Sequence, residues 1–355
     1  MQNYEVVEHG KPLQSVIRET PKPQGAELLV RITHSGVCHS DLHIWDGYFD
    51  LGGGKKFYVK DRGCVPPFTM GHEPYGKVVA MGPQASGAQI GDSYIVYPWM
   101  GCGSCDVCLS DQDNYCLKPR FVGIVRPGAY STHMLVPDGK YLVPAPGIDP
   151  GFAATLACSG LTVYSGITKF PPLGKNDWVV VLGCGGLGMI ALSTLAAMDI
   201  SNVIACDIDD SKLEHASKQG AKVTVNTRNA DAAAQIASLS GGNVLAAIDL
   251  VGMPATAALG IGALRKGGRY VICGLFGGEL TLPLPPIAQR AIGIVGSYVG
   301  SLGELKKVVA LATSGKLKPS PIEMRAVSET NRTLEDLKAG KILGRVVLDY
   351  ASVAE

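Results

Sequence analysis

The strongest constraint on the fold is a long alternation of strand and helix patterns in the second half of the chain. From Trp178 to about residue 296, short apolar runs such as "WVVVLG", "VIACD", "AAIDLVG" and "RYVICGL" alternate with segments of helical spacing such as "LGMIALSTLAAM" and "SKLEHASKQG". The runs are continuously apolar or β-branched, which is expected when helices cover both faces of a parallel sheet. The alternation therefore predicts a doubly wound α/β sheet.

The first 150 residues or so are different and predict a β-rich part. "ELLVRITHSG", "GKVVAMGPQASGAQIGDSYIVYP" and "STHMLVPDGKYLVPAP" predict short strands separated by Gly and Pro turns. Helical spacing begins near residue 153 in "AATLACSGLTVYSGITKF", and the chain ends with a helix, "GELKKVVALATSG", and a strand, "GRVVLDY". A chain of 355 residues is too long for one ordinary core, so we expect two domains.

Composition gives no support to nucleic acid or a membrane as the binding partner. Charged residues make up 18% of the chain and the net charge is +1, so there is no electrostatic reason to expect nucleic acid or an anionic membrane. The start, "MQNYEVVEHGKPLQ", lacks the pattern of a secretion signal, and no apolar run approaches the roughly 20 residues that span a bilayer. We expect a cytoplasmic protein that acts on a small molecule.

A glycine motif predicts a dinucleotide site in the alternating region. "VVVLGCGGLGMIAL" places Gly183, Gly185 and Gly188 between an apolar strand and an apolar helix, which is the context that G-x-G-x-x-G requires. The helix N-terminus offers free N–H groups to a pyrophosphate. Asp207 lies at the end of the next strand, where a carboxylate accepts both ribose hydroxyls of NAD and repels the 2′-phosphate of NADP. The motif therefore favours NAD.

Four cysteines in "GCGSCDVCLSDQDNYC" predict a metal cage. Cys102, Cys105, Cys108 and Cys116 are separated by two, two and seven residues. Bacterial ferredoxins share the C-x₂-C-x₂-C run, but their fourth cysteine follows after three residues and precedes proline. The spacing favours a closed Zn–S₄ site over an iron–sulfur cluster or a metal-free loop. A closed site stabilises a loop and leaves no position for a substrate.

A second group of metal-binding residue types is scattered along the chain. "SGVCHSDLH" contains Cys38, "MGHEPYG" contains His72 and "LACSGLTVY" contains Cys158. Two cysteines and a histidine form a known catalytic zinc set, which keeps one position open. Spacing alone does not join these residues, and each by itself fits a buried thiol or a core histidine better than a metal ligand.

The combination resembles the zinc-dependent medium-chain alcohol dehydrogenase family. "GVCHSDLHIWDG", "GHEPYGKVVAMG", the four-cysteine loop, "ACSGLTVYSG", "VLGCGGLG" and the Asp207–Lys212 pair occur in the order of that family over nearly the whole chain. Within the family the chain looks most similar to the bacterial and yeast-type tetrameric enzymes. The resemblance implies a GroES-like catalytic domain over residues 1–152 and 297–355, with both zinc sites, and a Rossmann domain over residues 153–296. It also implies a homotetramer.

The resemblance assigns roles around a catalytic zinc. Cys38, His72 and Cys158 correspond to its ligands, while the four-cysteine loop corresponds to a structural zinc site, which makes two zinc ions per chain. Glu73 corresponds to a residue behind the metal, and Asp41 to the acceptor of the His72 ring N–H. Relatives that act on polyols tend to have Glu at the third ligand, so Cys158 favours simple alcohols.

The resemblance also implies hydride transfer between an alcohol and NAD, by way of an alkoxide formed at the catalytic zinc. The proton then leaves through Ser40, the cofactor ribose and His43, whose ordinary pKa lies near neutrality. The resemblance also places Trp45 and Trp99 in the substrate pocket. The implied cofactor contacts are His39, Thr162, Gly183, Gly185, Gly186, Leu187, Gly188, Asp207, Lys212 and Arg345.

One segment departs from the compact relatives. Between Trp45 and His72, "DGYFDLGGGKKFYVKDRGCVPPFTMG" is longer than usual for the family. Loops this long in compact domains are commonly functional. We expect it to form a wall or lid over the substrate cleft and to alter specificity.

Two alternatives stay open at this stage. The same fold could act on a more specialised secondary, cyclic or allylic alcohol. A protein of another class, which binds NAD(H) as a sensor or structural element, would need no catalytic zinc, and the complete set of Cys38, His72 and Cys158 argues against it. An electron-transfer protein with a cluster in the cysteine loop would absorb visible light.

Overall fold

The computed structural model describes residues 1–353 and contains a mixed sheet and a separate parallel sheet. The mixed sheet has the order β10-β8-β7-β3-β18-β17, with β9 also paired to β3. A small sheet of β1, β2 and β6 and a hairpin of β4 and β5 accompany it. The strands of this part are β1 Gln2–Val6, β2 Gln14–Ile17, β3 Leu28–Val37, β4 Tyr48–Gly52, β5 Lys55–Tyr58, β6 Phe68–Thr69, β7 Pro74–Met81, β8 Ser93–Val96, β9 His133–Val136, β10 Leu142–Pro144, β17 Ile322–Ala326 and β18 Arg345–Asp349.

The parallel sheet forms in the region of alternating patterns. Its order is β13-β12-β11-β14-β15-β16, which is the doubly wound arrangement that the sequence predicts. Val179 and Val181 of β11 contribute to one apolar core, while Val180 and Leu182 contribute to the core on the opposite face. This explains why the strand is apolar at every position. The strands are β11 Trp178–Leu182, β12 Val203–Asp207, β13 Val223–Asn226, β14 Val244–Asp249, β15 Arg269–Ile272 and β16 Gly293–Gly296.

Helices cover both sheets and connect them. The helices are α1 His39–Asp46, α2 Asp106–Leu109, α3 Pro150–Thr155, α4 Leu161–Ile167, α5 Gly186–Ala197, α6 Asp210–Gln219, α7 Ala232–Ser240, α8 Pro254–Ala263, α9 Leu284–Gln289, α10 Leu302–Thr313 and α11 Thr330–Lys338. A π-helical segment, Leu156–Gly160, joins α3 to α4. Within residues 1–353, no helix combines the length and apolar character needed to span a membrane.

The chain returns to the first sheet after the parallel sheet is complete. Strand β18 pairs antiparallel with β3, and Val347 lies opposite Gly36. Leu305 and Val308 of α10 pack in the same apolar core as Cys158. The pairing of β18 with β3 agrees with a catalytic domain built from the two ends of the chain, whereas Cys158, inside the predicted Rossmann limits, packs in the core of the first sheet. The limits 1–152, 297–355 and 153–296 stay a prediction.

Several elements were not predicted from the sequence, namely α1, α2, α9, α11, β1, β2, β4, β5, β6 and β17. The two strands predicted in "STHMLVPDGKYLVPAP" form as β9 and β10, but they do not pair with each other. Strand β9 pairs with β3 and β10 pairs with β8, because the connection between them crosses from one part of the mixed sheet to another.

Candidate active site and metal centres

The three scattered residues Cys38, His72 and Cys158 meet in the folded chain. Their sulfur and imidazole nitrogen atoms all lie within 4.8 Å of one another, and all three side chains are buried. Cys38 lies between β3 and α1, His72 lies just before β7, and Cys158 lies in the π-helical segment. Three donors of this type around one point fit a catalytic zinc with an open fourth position.

Asp41 joins two of these residues. Its Oδ1 accepts a 3.0 Å hydrogen bond from Nδ1 of His72, which leaves Nε2 of His72 without a hydrogen-bond partner among the described residues. Its Oδ2 accepts the amide N–H of Cys38 at 2.9 Å and the hydroxyl of Tyr130 at 3.0 Å. Asp41 occupies the third position of α1, where a carboxylate satisfies a free N–H and complements the helix dipole. The arrangement fixes the tautomer and orientation of the imidazole.

The surroundings of Cys38 favour the thiolate form of its side chain. The Cys158 thiol, which hydrogen-bonds to Cys38, holds the pKa of Cys38 well below its ordinary value, while the pKa of Cys158 is raised by the same contact and by burial. Burial disfavours the charged form of His72, but Asp41 and Cys38 outweigh it and raise its pKa. A metal cation would replace these protons, because metal ligands bind in their deprotonated forms.

Glu73 lies behind the trio and pairs with Arg345. Nη2 of Arg345 is 2.5 Å from Oε2 of Glu73, and both side chains are almost completely buried. Burial raises the pKa of Glu73 to about 7, although Arg345 opposes the shift. Arg345 also lines a small cavity with His39, Gly186 and Leu187 at the N-terminus of α5. The guanidinium therefore connects the region behind the trio to the glycine turn.

The four cysteines of the second metal centre also come together. Sulfur–sulfur distances are 3.4 Å for Cys105–Cys108, 3.8 Å for Cys105–Cys116 and 3.9 Å for Cys102–Cys108. A tetrahedron of Zn–S bonds of about 2.3 Å has edges of about 3.8 Å, so the cage fits zinc. Such distances exclude disulfides, and all ten cysteines, each within the described part of the chain, are free thiols.

Asp113 orders the backbone around this cage. Its Oδ1 accepts the amide N–H of Gly101 at 3.1 Å and the hydroxyl of Tyr141 at 2.9 Å. A Cβ on Gly101 would lie 2.3 Å from Sγ of Cys108, so only glycine fits there. The loop backbone therefore packs closely against the cage, in which Cys108 and Cys116 are buried and Cys102 and Cys105 are partly exposed.

The glycine turn has the geometry that a pyrophosphate site requires. Gly183 adopts a φ of +94° in the turn after β11. A Cβ at Gly188 would lie 2.0 Å from the carbonyl oxygen of Gly183, whereas a Cβ at Gly185 would meet no atom within 4 Å. Gly188 thus permits close packing of helix and strand, and Gly185 leaves the approach to the helix N-terminus open.

Asp207 stands at the end of β12 beside this turn. Its Oδ2 accepts the amide N–H of Cys184 at 2.7 Å, and its Oδ1 accepts the amides of Ile208 and Asp209. These bonds hold the carboxylate at the edge of the turn, where a cofactor ribose would lie. For Lys212, the hydrogen bond found is that of its backbone amide to Asp209, which caps α6.

Two buried hydroxyl groups lack hydrogen-bond partners within residues 1–353. Oγ1 of Thr162 and Oγ of Ser297 make no hydrogen bond among the described residues, although both are buried. Ser297 and Tyr298 line a cavity with Cys273 and Gly274, at the carboxyl ends of β15 and β16. Buried hydroxyls are rarely left unpaired, so Ser297 gives this cavity a polar group that a ligand could bind.

The two histidines of α1 stack on aromatic rings. His39 stacks on Phe276 and His43 on Phe49, each with ring centroids 4.6 Å apart. Burial lowers the pKa of both histidines, which favours their neutral forms near pH 7. Ser40 lies between them in the chain and is partly exposed. The neutral form of His43 is the one that can accept a proton.

The long segment after α1 folds as a hairpin that reaches the second domain. Strands β4 and β5 pair Phe49 with Phe57, and a turn of three glycines connects them. A Cβ on Gly52 would lie 2.7 Å from the amide nitrogen of Glu279, so the two backbones touch. The hairpin therefore spans from α1 to the loop after β15.

The two tryptophans predicted for the substrate pocket are in different places. The Trp99 indole packs on the His72 ring with centroids 5.4 Å apart. For Trp45, Nε1 donates to the Lys11 carbonyl at 2.6 Å, and the Lys338 ammonium lies over the ring. Neither contact of Trp45 involves the trio, and its pocket role stays a prediction.

Sequence reasoning missed Tyr130, Phe49, Phe276, Ser297 and Tyr298. A signal existed for Ser297 and Tyr298, because they directly follow the last strand of the parallel sheet, and ligands bind at the carboxyl ends of such strands. Tyr130 gave no signal, since its partner Asp41 is 89 positions away.

Comparisons with known proteins agree with the fold and show the family. The alcohol dehydrogenase GroES-like domain matches residues 24–147, and the zinc-binding dehydrogenase domain matches residues 186–314. The NAD-dependent alcohol dehydrogenase of Sulfurisphaera tokodaii is 35% identical over 350 residues, which cover 98% of this chain and 99% of that protein.

Solved structures give the same result. The alcohol dehydrogenase of the hyperthermophilic archaeon Aeropyrum pernix has a TM-score of 0.88 and 31% identity, covering 98% of this chain and all of that chain. Acetophenone reductase from Geotrichum candidum, solved in complex with NAD, has a TM-score of 0.86 and 28% identity, covering 99% of this chain and 98% of that one.

A GroES-like domain, a Rossmann domain and a buried Cys–His–Cys trio define the class of zinc-binding dehydrogenases. Within that class, this chain belongs to the zinc-dependent medium-chain alcohol dehydrogenase family, and it is an oxidoreductase.

Proposed function

We propose that this protein transfers hydride between the carbinol carbon of a small alcohol and NAD, at a zinc ion held by Cys38, His72 and Cys158. The observation that carries the proposal is the convergence of these three buried donors within 4.8 Å, from three separate segments. The NAD-dependent relatives and the NAD complex of the Geotrichum candidum reductase support the cofactor. The same reaction can run in either direction.

Zinc, when bound, supplies a Lewis acid that lowers the pKa of an alcohol hydroxyl, and NAD supplies the hydride acceptor. The chain holds the ligands in place through Asp41, which orients His72 and the backbone of Cys38. Arg345 balances the charge of Glu73 behind the trio. Burial of all these groups excludes water from the reacting atoms.

The proton leaves the site by way of α1. Ser40 would accept it from the substrate hydroxyl, and His43 would hold it at the surface; a ribose of bound NAD would supply the hydroxyl between them. The lowered pKa of His43 supports this role, because the imidazole is neutral and free to accept a proton near pH 7. The stack of His43 on Phe49 keeps the ring in one orientation.

The carboxyl ends of the parallel strands would hold the cofactor. The turn and helix start formed by Gly183, Gly185, Gly186, Leu187 and Gly188 would bind its pyrophosphate. Asp207 would bind the adenosine ribose with Lys212 beside it, His39 and Arg345 would face the phosphates, and Thr162 would contact the nicotinamide. The unpaired hydroxyl of Thr162 supports this last contact.

A second zinc ion fills the cage of Cys102, Cys105, Cys108 and Cys116 and stabilises the loop. The spacing of the four sulfurs supports a tetrahedral metal. Because all four positions are occupied by sulfur, this metal takes no part in the reaction.

The protein acts in the cytoplasm as a homotetramer. The exposed edge of β16 supports assembly, since it is the last strand of the parallel sheet and Ile294 on it is 44% exposed. The partner in catalysis is a small alcohol, aldehyde or ketone.

The proposal is tested with primary, secondary, allylic and aromatic alcohols, each offered with NAD and with NADP, while NADH or NADPH absorbance is followed. We expect turnover with at least one alcohol and a clear preference for NAD. Absence of turnover with every alcohol and carbonyl compound, in protein that contains zinc and binds NADH, would refute the reaction.

A further inference from the structure

We propose that Trp99 is a positioning residue that locks the His72 and Cys158 ligand segments to each other. The inference rests on the proposed catalytic zinc site and goes beyond a place for Trp99 in the wall of the substrate pocket. The inference follows from two contacts of the buried Trp99 indole. Its N–H donates to the carbonyl of Ala157, and its ring packs against His72.

The N–H edge holds the segment that carries Cys158. In a regular α-helix the amide of Leu161 would donate to the carbonyl of Ala157, four residues earlier. Here that amide donates to the carbonyls of Leu156 and Cys158, in the π-helical turn. The carbonyl of Ala157 accepts Nε1–H of Trp99 at 3.3 Å instead. The indole thus satisfies a carbonyl that the distortion removes from its helical partner.

The π-helical turn matters because it sets the direction of Cys158. An extra residue in a helical turn rotates the side chains that follow, and such turns are common at functional sites. A buried carbonyl without a partner would favour a return to α-helical bonding. The hydrogen bond from Trp99 therefore stabilises the backbone conformation that directs Cys158 toward Cys38 and His72.

Packing against the indole limits the movement of His72. Asp41 holds Nδ1 of the imidazole, which leaves tilting of the ring about that hydrogen bond as the main remaining freedom. The indole lies against that ring with centroids 5.4 Å apart and an interplanar angle of 56°. Asp41 thus links His72 to Cys38, and Trp99 links His72 to the Cys158 segment.

The indole itself is held on its other sides. Phe121 meets it edge-to-face at 5.5 Å, and Tyr298 meets it at 6.3 Å. Only 3% of Trp99 is exposed, so little of its surface faces the substrate cleft. A side chain packed this tightly can transmit position from one ligand segment to the other.

The experiment measures zinc release to an excess of a chromophoric chelator. Two variants are used: Trp99→Phe, and the protein with β-(benzothiophen-3-yl)alanine at position 99, which keeps the indole shape but has sulfur in place of N–H. Zinc release from the proposed catalytic site is the kinetic phase that is missing in Cys38→Ser. We expect this phase to become about tenfold faster in both variants, which is the lower end of the effect of losing a contact to a metal ligand. The phase of zinc release from the four-cysteine cage should be unchanged.

A matched control is Trp45→Phe, which also removes an indole N–H bonded to a backbone carbonyl, that of Lys11. We expect zinc release at the wild-type rate in this variant. If both position-99 variants release zinc at the wild-type rate and change only the KM of large alcohols, Trp99 is a pocket wall and the proposal is wrong. If Trp99→Phe does not fold, the zinc-release rate of the benzothiophene variant alone tests the proposal. A wild-type protein with no phase that depends on Cys38 would refute the catalytic zinc rather than the role of Trp99.

Discussion

Asp41 and His72 form a 3.0 Å hydrogen bond between two side chains that are both inaccessible to solvent. The carboxylate also binds the backbone of Cys38 and the hydroxyl of Tyr130, so one residue organises two of the three metal donors. The arrangement corresponds to a carboxylate–histidine–zinc triad, in which the carboxylate fixes the ring and raises its basicity.

Replacement of Asp41 is therefore expected to weaken the catalytic zinc. Asp41→Asn removes the negative charge and turns an amide group toward the donors of Cys38 or Tyr130. We expect a loss of about 10- to 100-fold in zinc affinity at this site, measured by competition with a chelator of known affinity. Tyr130→Phe keeps the carboxylate–imidazole bond and should lose much less. Wild-type affinity in Asp41→Asn would show that the carboxylate does not support the metal.

Replacement of Asp207 is expected to change the choice of cofactor. Asp207→Asn removes the charge that repels a 2′-phosphate and weakens the bonds to the ribose. Hydrogen bonds to charged groups contribute about 1.5–3 kcal/mol, so kcat/KM with NAD should fall by about 10- to 100-fold. Activity with NADP should rise. The control Asp210→Asn changes the net charge equally in the first turn of α6 and should leave the preference unchanged. An unchanged NAD preference in Asp207→Asn would argue against the ribose contact.

The pH dependence should report on His43. Burial lowers its pKa from the ordinary 6.5, while Cys38 and Asp46 act in the opposite direction, and Phe49 adds no charge. The ring is thus a free base above that pKa, and alcohol oxidation should fall as pH drops below about 6.5. His43→Gln should reduce kcat by about 100-fold, the lower range for general base catalysis, with partial rescue by added imidazole. A wild-type rate and pH profile in His43→Gln would exclude the relay.

The lowered pKa of His43 also makes the folded state less stable at low pH. The unfolded chain binds a proton at His43 more readily than the folded chain does. The contribution of this residue to the free energy of unfolding is therefore lost as pH falls below 6.5 and is unaffected above it.

The hairpin of β4 and β5 is expected to influence specificity. Its tip contacts the loop after β15 through Gly52 and Glu279, and Phe49 stacks on His43. Replacing residues 49–57 with a short glycine turn should change the ratio of kcat/KM between large and small alcohols, while the zinc content stays the same. Lys55→Gln, an exposed change on the same hairpin, serves as the control. An unchanged substrate profile after the replacement would show that the segment is only a surface excursion.

The sequence was most informative where the determinants are local. The parallel strands were predictable because burial on both faces leaves an apolar residue at every position, as in Val179 and Val180. The four cysteines and the glycine turn each lie within about twenty residues, so spacing alone indicated their chemistry.

Distant contacts could not be predicted in the same way. Trp99 and Ala157 are 58 positions apart, and Glu73 and Arg345 are 272 apart. The π-helical turn gave no pattern, because its apolar residues suit an α-helix equally well. The hairpin did give a signal, since aromatic strands around "GGG" favour a turn, but the glycines were interpreted as a loop.

Zinc content, activity and melting temperature in one set of variants test the central claim, that the trio is the working metal site and the cysteine loop is structural. Wild-type protein should contain about two zinc ions per chain. His72→Ala should retain about one zinc and a nearly normal melting temperature, with activity lost; Cys105→Ser should lose the other zinc and melt at a lower temperature. If Cys105→Ser keeps its zinc and melting temperature, or if His72→Ala stays active, the assignment of the two sites is wrong.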